Sequence, residues 1–171
     1  PRSTLFPTRR SSDLAIDGIA HIDAAYDGED YTAFTVARRR GDRIYAYGRM
    51  WRKHVDTVLG FCISETKRLM AGAIREETNG DKGYLAKEIS RAGHSAAPYT
   101  EKENKYIKIS TFLRKWWKSI EWLEGTDPEY LNQILSYTED AEHDDAPDSA
   151  ACVCRILDRQ SGEDYKSPFS R

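Results

Sequence analysis

GIAHIDAAYDGEDYTAFTVARRRGDRIYAYGRMW, residues 18–51, is the stretch whose reading decides the fold. Residues 18–26 are a short apolar run, the pattern of a buried strand. DGED (27–30) signals a turn. YTAFTVARR (31–39) is rich in strand formers, and RRRGD (38–42) turns again. In 42–51, Ile44, Ala46, Gly48 and Met50 alternate with Tyr45, Tyr47, Arg49 and Trp51. The pattern predicts a three-stranded antiparallel meander. One residue sits badly in it: Asp23, flanked by Ile22, Ala24 and Ala25. A carboxylate inside an apolar strand is unfavourable unless it is hydrogen-bonded, paired or bound to a metal.

Beyond Trp51 the period changes. Val55, Val58, Leu59, Cys62, Ile63, Thr66, Leu69 and Met70 recur at helical spacing. AGAIREE (71–77) then reads as a strand parallel to the first. Residues 79–93 predict a helix opened by Asp81 and closed by Gly93, and 94–99 a weak strand. Residues 103–119 read as one basic helix with Ile107, Phe112, Leu113 and Trp116 buried. A short strand (119–125) follows, then a helix with Pro128 at its first turn (127–138). The last helix spans 144–159. The fold class expected is α/β: three antiparallel strands followed by parallel ones, with helices on both faces.

Both ends stand apart from this domain, which is bounded at 15–158. PRSTLFPTRRSSDL (1–14) back-translates, with a one-base frame slip, into a sequence resembling a short-read sequencing adaptor. It is therefore expected to be a disordered artefact, with the natural protein extending further upstream. Residues 159–171 are polar and expected to be a disordered tail. The formal net charge of -2 excludes a global basic field, so any nucleic-acid contact must come from local patches. No apolar run approaches the roughly 20 residues of a membrane span, so no membrane partner is expected. Cys62, Cys152 and Cys154 read as buried thiols.

Three acidic elements carry the chemistry. Asp23 sits inside the first strand, Glu77 ends the strand expected beside it, and EHDDAPDSAA (142–151) opens the last helix. Asp145 and Asp148, three apart, share a helix face. Alone, that stretch reads equally as a helix start, with Asp144 or Asp145 capping and Asp148 complementing the dipole. Docked beside Asp23 and Glu77, it would complete a carboxylate cluster. Hard oxygen ligands of this kind select Mg²⁺ or Mn²⁺, and the matching reaction is phosphodiester hydrolysis with two ions about 4 Å apart.

HIDAAYDGEDYTAFTV (21–36), REETNGDKGYLAKEI (75–89), KENKYIKI (102–109) and HDDAPDSAA (143–151), in this order, resemble the C-terminal nuclease domain of phage terminase large subunits. The resemblance covers about residues 18–158 and implies an RNase H-like fold. It assigns catalysis to Asp23, Glu77 and Asp145, and metal binding to these with Asp148. Glu77 is preferred to Glu76, being two residues before Asn79-Gly80. Whether Asp144 or Asp148 is the direct ligand stays open. Asp30, Asp144, His143 and Asn79 are expected to support the ligands from behind. The turn after Asp23 is more acidic than the family's Gly-rich version.

The resemblance further implies a metal-dependent endonuclease cutting concatemeric double-stranded viral DNA in the host cytoplasm. Its partners would be a terminase small subunit and a portal or procapsid. No G-x-x-x-x-G-K-[ST] motif is present, so an ATPase would lie elsewhere. Lys102, Lys105, Arg39 and Arg40 are the DNA-contact candidates, drawn from two basic stretches. Two other readings remain: another RNase H-like nuclease of the resolvase or transposase kind, and an inactive DNA-binding or interaction module.

Overall fold

A computed structural model describes residues 11–27 and 29–163. Its strands are β1 (Ile19–Asp23), β2 (Thr32–Arg40), β3 (Arg43–Trp51), β4 (Ile74–Glu77), β5 (Ala96–Tyr99) and β6 (Ile120–Trp122). They form one sheet in the order β5-β4-β1-β2-β3-β6. β1, β2 and β3 are the expected antiparallel meander. β4 runs parallel beside β1, β5 parallel beside β4, and β6 parallel beside β3. The β2–β3 hairpin turns in two residues, Gly41 and Asp42, and Gly41 takes a φ of +63°. Glycine adopts that conformation without steric penalty.

Strand alternation sends two sets of side chains to two apolar layers. Ala20, Ile22, Phe34, Val36, Tyr47 and Ile74 meet α1 (Val55–Arg68) and α2 (Tyr84–Arg91). Ala33, Ala37, Ile44, Ala46 and Met50 meet the helices of the other face. These are α3 (Lys105–Lys108), α4 (Arg114–Trp116), α5 (Pro128–Leu135) and α6 (Asp145–Glu163). Each large side chain so buried contributes about 1.5–3 kcal/mol. The second face is built from small residues on both sides: Ala33, Ala37 and Ala46 on the sheet, Ala146, Ala150 and Ala151 on α6. Small residues let α6 lie close to the strands. Cys62, Cys152 and Cys154 are free and buried, as expected.

Three expectations are corrected. The helix expected over 103–119 is not regular. α3 passes into a π-helical segment, Ile109–Leu113, then α4, then a 3-10 turn at Trp117–Ser119. The wide π turn rotates the buried face, so Ile107 is 59% exposed while Lys108 and Ile109 turn inward. The last helix continues to Glu163 instead of stopping at 159. Ser11–Ala15, within the expected disordered 1–14, form a 3-10 turn that packs Ala15 into the core. Residues 1–10 and 164–171 lie outside the described residues.

Candidate active site

β1 and β4 are parallel neighbours with Ile22 opposite Glu76, so both strands end at the same edge of the sheet. That edge carries Asp23 and Glu77. The pleat then divides the side chains. His21 and Asp23 face α6, and so does Glu77, which feels the charges of Lys108, Asp148 and Lys105. Glu76 goes to the opposite face, where it is fully buried near Asp81.

α6 starts above this edge. The amide of Ala146, in its first turn, donates to Gln133 Oε1 of α5 at 2.7 Å, which fixes where the helix begins. The helix thereby delivers Asp145 and Asp148 to the strand ends. Asp148 is buried between two ammonium groups. Lys108 Nζ lies 2.6 Å from its Oδ1 and Lys105 Nζ 3.5 Å from its Oδ2. Lys105 Nζ also donates to Asp144 Oδ1 at 2.9 Å. Asp23, Asp144, Asp145 and Asp148 thus surround Lys105, and Glu77 joins them from β4.

The carboxylates are not equally compensated. Asp23 Oδ2, Asp145 Oδ2 and Asp148 Oδ1 are buried without a well-aligned hydrogen bond, but Asp148 Oδ1 lies against the Lys108 ammonium. Burial pushes the Asp23 carboxyl well up, and the Asp148 and Asp145 charges add to this against Lys105 and Lys108. Burial likewise raises Glu77. Burial, with Asp144 and Asp30 beside it, pushes Asp145 up to about 6. Groups in this state gain from any cation that approaches. Oxygens of this hardness fit Mg²⁺ or Mn²⁺. Among the described residues, however, no three His, Cys, Asp or Glu side chains already stand at ligand spacing. Lys105 and Lys108 draw Asp144 and Asp148 toward themselves instead.

Behind the carboxylates runs a buried ionic chain. Lys108 Nζ donates to Glu101 Oε2 at 3.1 Å, and Arg155 of α6 donates to Glu101 Oε1 at 2.9 Å and to Glu103 Oε2 at 3.0 Å. Burial works against the Glu101 charge, but Arg155 and Lys108 hold its pKa down to about 2. Asn79 clasps the backbone of Glu101 through both ends of its amide. Its link to the carboxylates therefore passes through Glu101 and Lys108. A second network joins His21 to Ser149 Oγ at 3.0 Å and Tyr99 Oη at 2.9 Å, and Thr35 to Ser149 at 2.8 Å. Burial, with Lys108, Arg155 and Arg75 nearby, pushes His21 down to about 3, so it is neutral. His143 packs edge-on to Tyr31 and stands 3.8 Å from Asp30, which links the acidic turn to the start of α6.

The basic candidates separate. Lys102 is exposed beside the Glu101 chain and lines a cavity of about 380 Å³ with Arg75, Tyr99, Arg155 and Arg159. Lys105 is committed to Asp144 and Asp148. Arg39 and Arg40 lie at the wrong end of the sheet. They pair with Ile44 and Arg43, while Asp23 pairs with Ala33 near the start of β2. Six residues of strand put roughly 20 Å between Arg39 and the carboxylates. Arg39 stacks on Trp116, and Arg40 donates to the carbonyls of Leu14 and Asp13. Arg52 and Lys53, at the other end of β3, lie on the carboxylate side. Sequence reasoning missed Lys108 as a buried partner of Asp148, and missed Glu101, Arg155 and His21 altogether.

No family model matches the sequence, and no curated protein matches it. Solved structures do. The large terminase nuclease from thermophilic phage G20c, with bound zinc, superposes with a TM-score of 0.60 at 17% identity, covering 80% of each chain. The human cytomegalovirus terminase nuclease domain, Mn soaked and inhibitor bound, gives 0.58 at 14% identity, covering 85% of each chain. A large terminase from another thermophilic bacteriophage gives 0.58 at 12% identity over 81% of this chain, which spans only 40% of that one. The chain has the fold of the large-terminase nuclease domains, a mixed α/β sheet of the RNase H-like kind.

Proposed function

We propose that this chain is a metal-dependent endonuclease domain of a DNA-packaging terminase, hydrolysing phosphodiester bonds of double-stranded, concatemeric viral DNA. The observation that carries the reading is the meeting, on this fold, of Asp23, Glu77 and Asp145 from three separate elements at one sheet edge. Two of these have buried oxygens without partners. The zinc-bound and Mn-soaked neighbours support divalent metal at such a site.

Asp23, Glu77 and Asp145 would hold Mg²⁺ or Mn²⁺, with Asp148 contributing to a second ion during cleavage. Bound ions of this kind supply an activated water as nucleophile and positive charge for the leaving oxygen. The chain's own residues do the rest. β1 and β4 fix two carboxylates on adjacent parallel strands, and α6 brings the others down onto them. The Glu101–Arg155 chain and the His21–Ser149 bond hold α6 in register with the sheet. Lys102, Arg52 and Lys53 face solvent on the carboxylate side and would take DNA phosphates. In an assembled packaging machine the expected partners are a terminase small subunit, a portal and a separately encoded or upstream ATPase.

Nicking of supercoiled plasmid in Mn²⁺ tests the proposal. The chain should nick, and Asp23→Asn and Glu77→Gln should each lower the rate by at least about 100-fold. Equal nicking by wild type and both variants would sink the assignment. A wild type that binds duplex DNA but never nicks would instead favour an inactive DNA-binding module.

A further inference from the structure

Among the five carboxylates of the site, Asp148 alone has each oxygen facing its own ammonium group. The two lysines differ in freedom. Lys108 is 1% exposed and locked by Asp148 and Glu101, with Glu101 itself locked by Arg155. A π-helical segment follows it directly, and its side chain turns inward. Lys105 is 45% exposed, on a long stem reaching in from solvent to Asp144 and Asp148. It also feels the charge of Asp23, whose Oδ2 has no hydrogen-bond partner.

We infer that Lys105 is a tethered cation holding one of the two cation positions of the site, so that the DNA-free chain takes a single divalent ion. This rests on the metal-dependent reading above. Asp23, Glu77, Asp144, Asp145 and Asp148 bring five negative charges, and Lys105 and Lys108 return two. Of the remaining three negative charges one divalent ion leaves one; a second would reverse the sign of the site and would have to share Asp148 with a point charge already beside it. The way to admit it is for Lys105 to leave. A DNA phosphate offers the ammonium an alternative partner at the open side of the cluster. Transfer of Lys105 from Asp148 to that phosphate frees Asp148 Oδ2. DNA and the second ion therefore bind cooperatively, and the chain alone rests in a one-ion state.

The test counts Mn²⁺ on the full chain without DNA, by calorimetry and by the loss of free Mn²⁺ signal in electron paramagnetic resonance. Wild type and Lys105→Arg should bind one ion, with any second at least about 10-fold weaker. Lys105→Met should bind two with affinities within about 10-fold of each other. Circular dichroism checks that both variants fold. Two equivalent ions on wild type, or unchanged stoichiometry in Lys105→Met, would overturn the inference and leave the nuclease reading intact. No Mn²⁺ on any of the three would overturn the nuclease reading and the inference with it.

Discussion

Glu76 and Glu77 are consecutive in sequence and divided by the sheet. Glu77 joins Asp23 on the α6 face, while Glu76 is buried on the other with neither carboxylate oxygen hydrogen-bonded. Burial, then Asp81 and Glu77, push Glu76 up from 4.5 to about 7. A carboxyl whose folded pKa exceeds its unfolded one holds more protons in the fold. Its stabilising effect is full below pH 4.5 and is lost as pH rises toward 7. Asp145, raised from 3.8 to about 6, adds the same slope in its own window. Glu101, lowered to about 2, acts oppositely, losing its contribution only as pH falls from 4.5 toward 2. Melting in EDTA should therefore show Tm falling between pH 5 and 8. Glu76→Gln should flatten that fall and raise Tm at pH 8 by about 3–6 °C, with little change at pH 5. A variant profile parallel to wild type would show that Glu76 stays ionised throughout. At this scale the sequence was legible wherever one rule was applied. Asp23 stood out as a charge in an apolar run. The same rule, applied to His21 between Ala20 and Ile22, Lys108 between Ile107 and Ile109, and Arg155 before Ile156, finds three of the residues that were missed; Glu101, between Thr100 and Lys102, escapes it.

Elements were legible from periodicity, and illegible where the period broke. The meander, β4 beside β1, and the start of α6 all follow from alternation and capping residues. The 103–119 stretch does not, because a 3.6-residue template cannot anticipate a π turn, and one wide turn exchanges Ile107 for Lys108 at the buried face. Gly48 shows a second limit. Its alternation placed it on an inward face, but only the packing explains the glycine. A Cβ there would lie 2.6 Å from Cδ1 of Tyr130, the fully buried aromatic that anchors α5 to β3. Tyr130 also bonds Thr35 at 2.6 Å, and Thr35 bonds Ser149 of α6. Gly48→Ala should displace that ring and destabilise the chain by about 1–3 kcal/mol. Thermal melting should show a fall of about 2–9 °C, and the loss should be nearly the same with Mn²⁺ present. An unchanged Tm would mean that α5 moves aside freely and that the Tyr130 contact does not hold it.

Across the whole molecule, charge is sorted by the two ends of the sheet. The carboxylates, Lys102, Arg52 and Lys53 share the end where β1 and β4 finish; Arg38, Arg39, Arg40 and Arg43 share the other. In the sequence the arginines and Arg52–Lys53 look like one patch around a hairpin, because nine-residue strands carry neighbours in sequence to opposite ends in space. The far-end arginines are also engaged: Arg38 with Asp17 at 3.0 Å, Arg39 with Trp116, Arg43 with Glu121. DNA reaching the carboxylates should therefore ignore them. Duplex binding followed by fluorescence anisotropy, at several salt concentrations and with Ca²⁺ in place of Mn²⁺, distinguishes the ends. Lys102→Glu and Arg52→Glu should each weaken binding and reduce the salt slope by about one phosphate contact. Arg39→Glu should leave both affinity and slope within about twofold of wild type, while lowering stability through the lost Trp116 stacking by about 0.5–1 kcal/mol. A salt slope that falls for Arg39→Glu and not for Lys102→Glu would put the duplex across the far end, away from Asp23, and would remove the geometric basis for cleavage at the carboxylate edge.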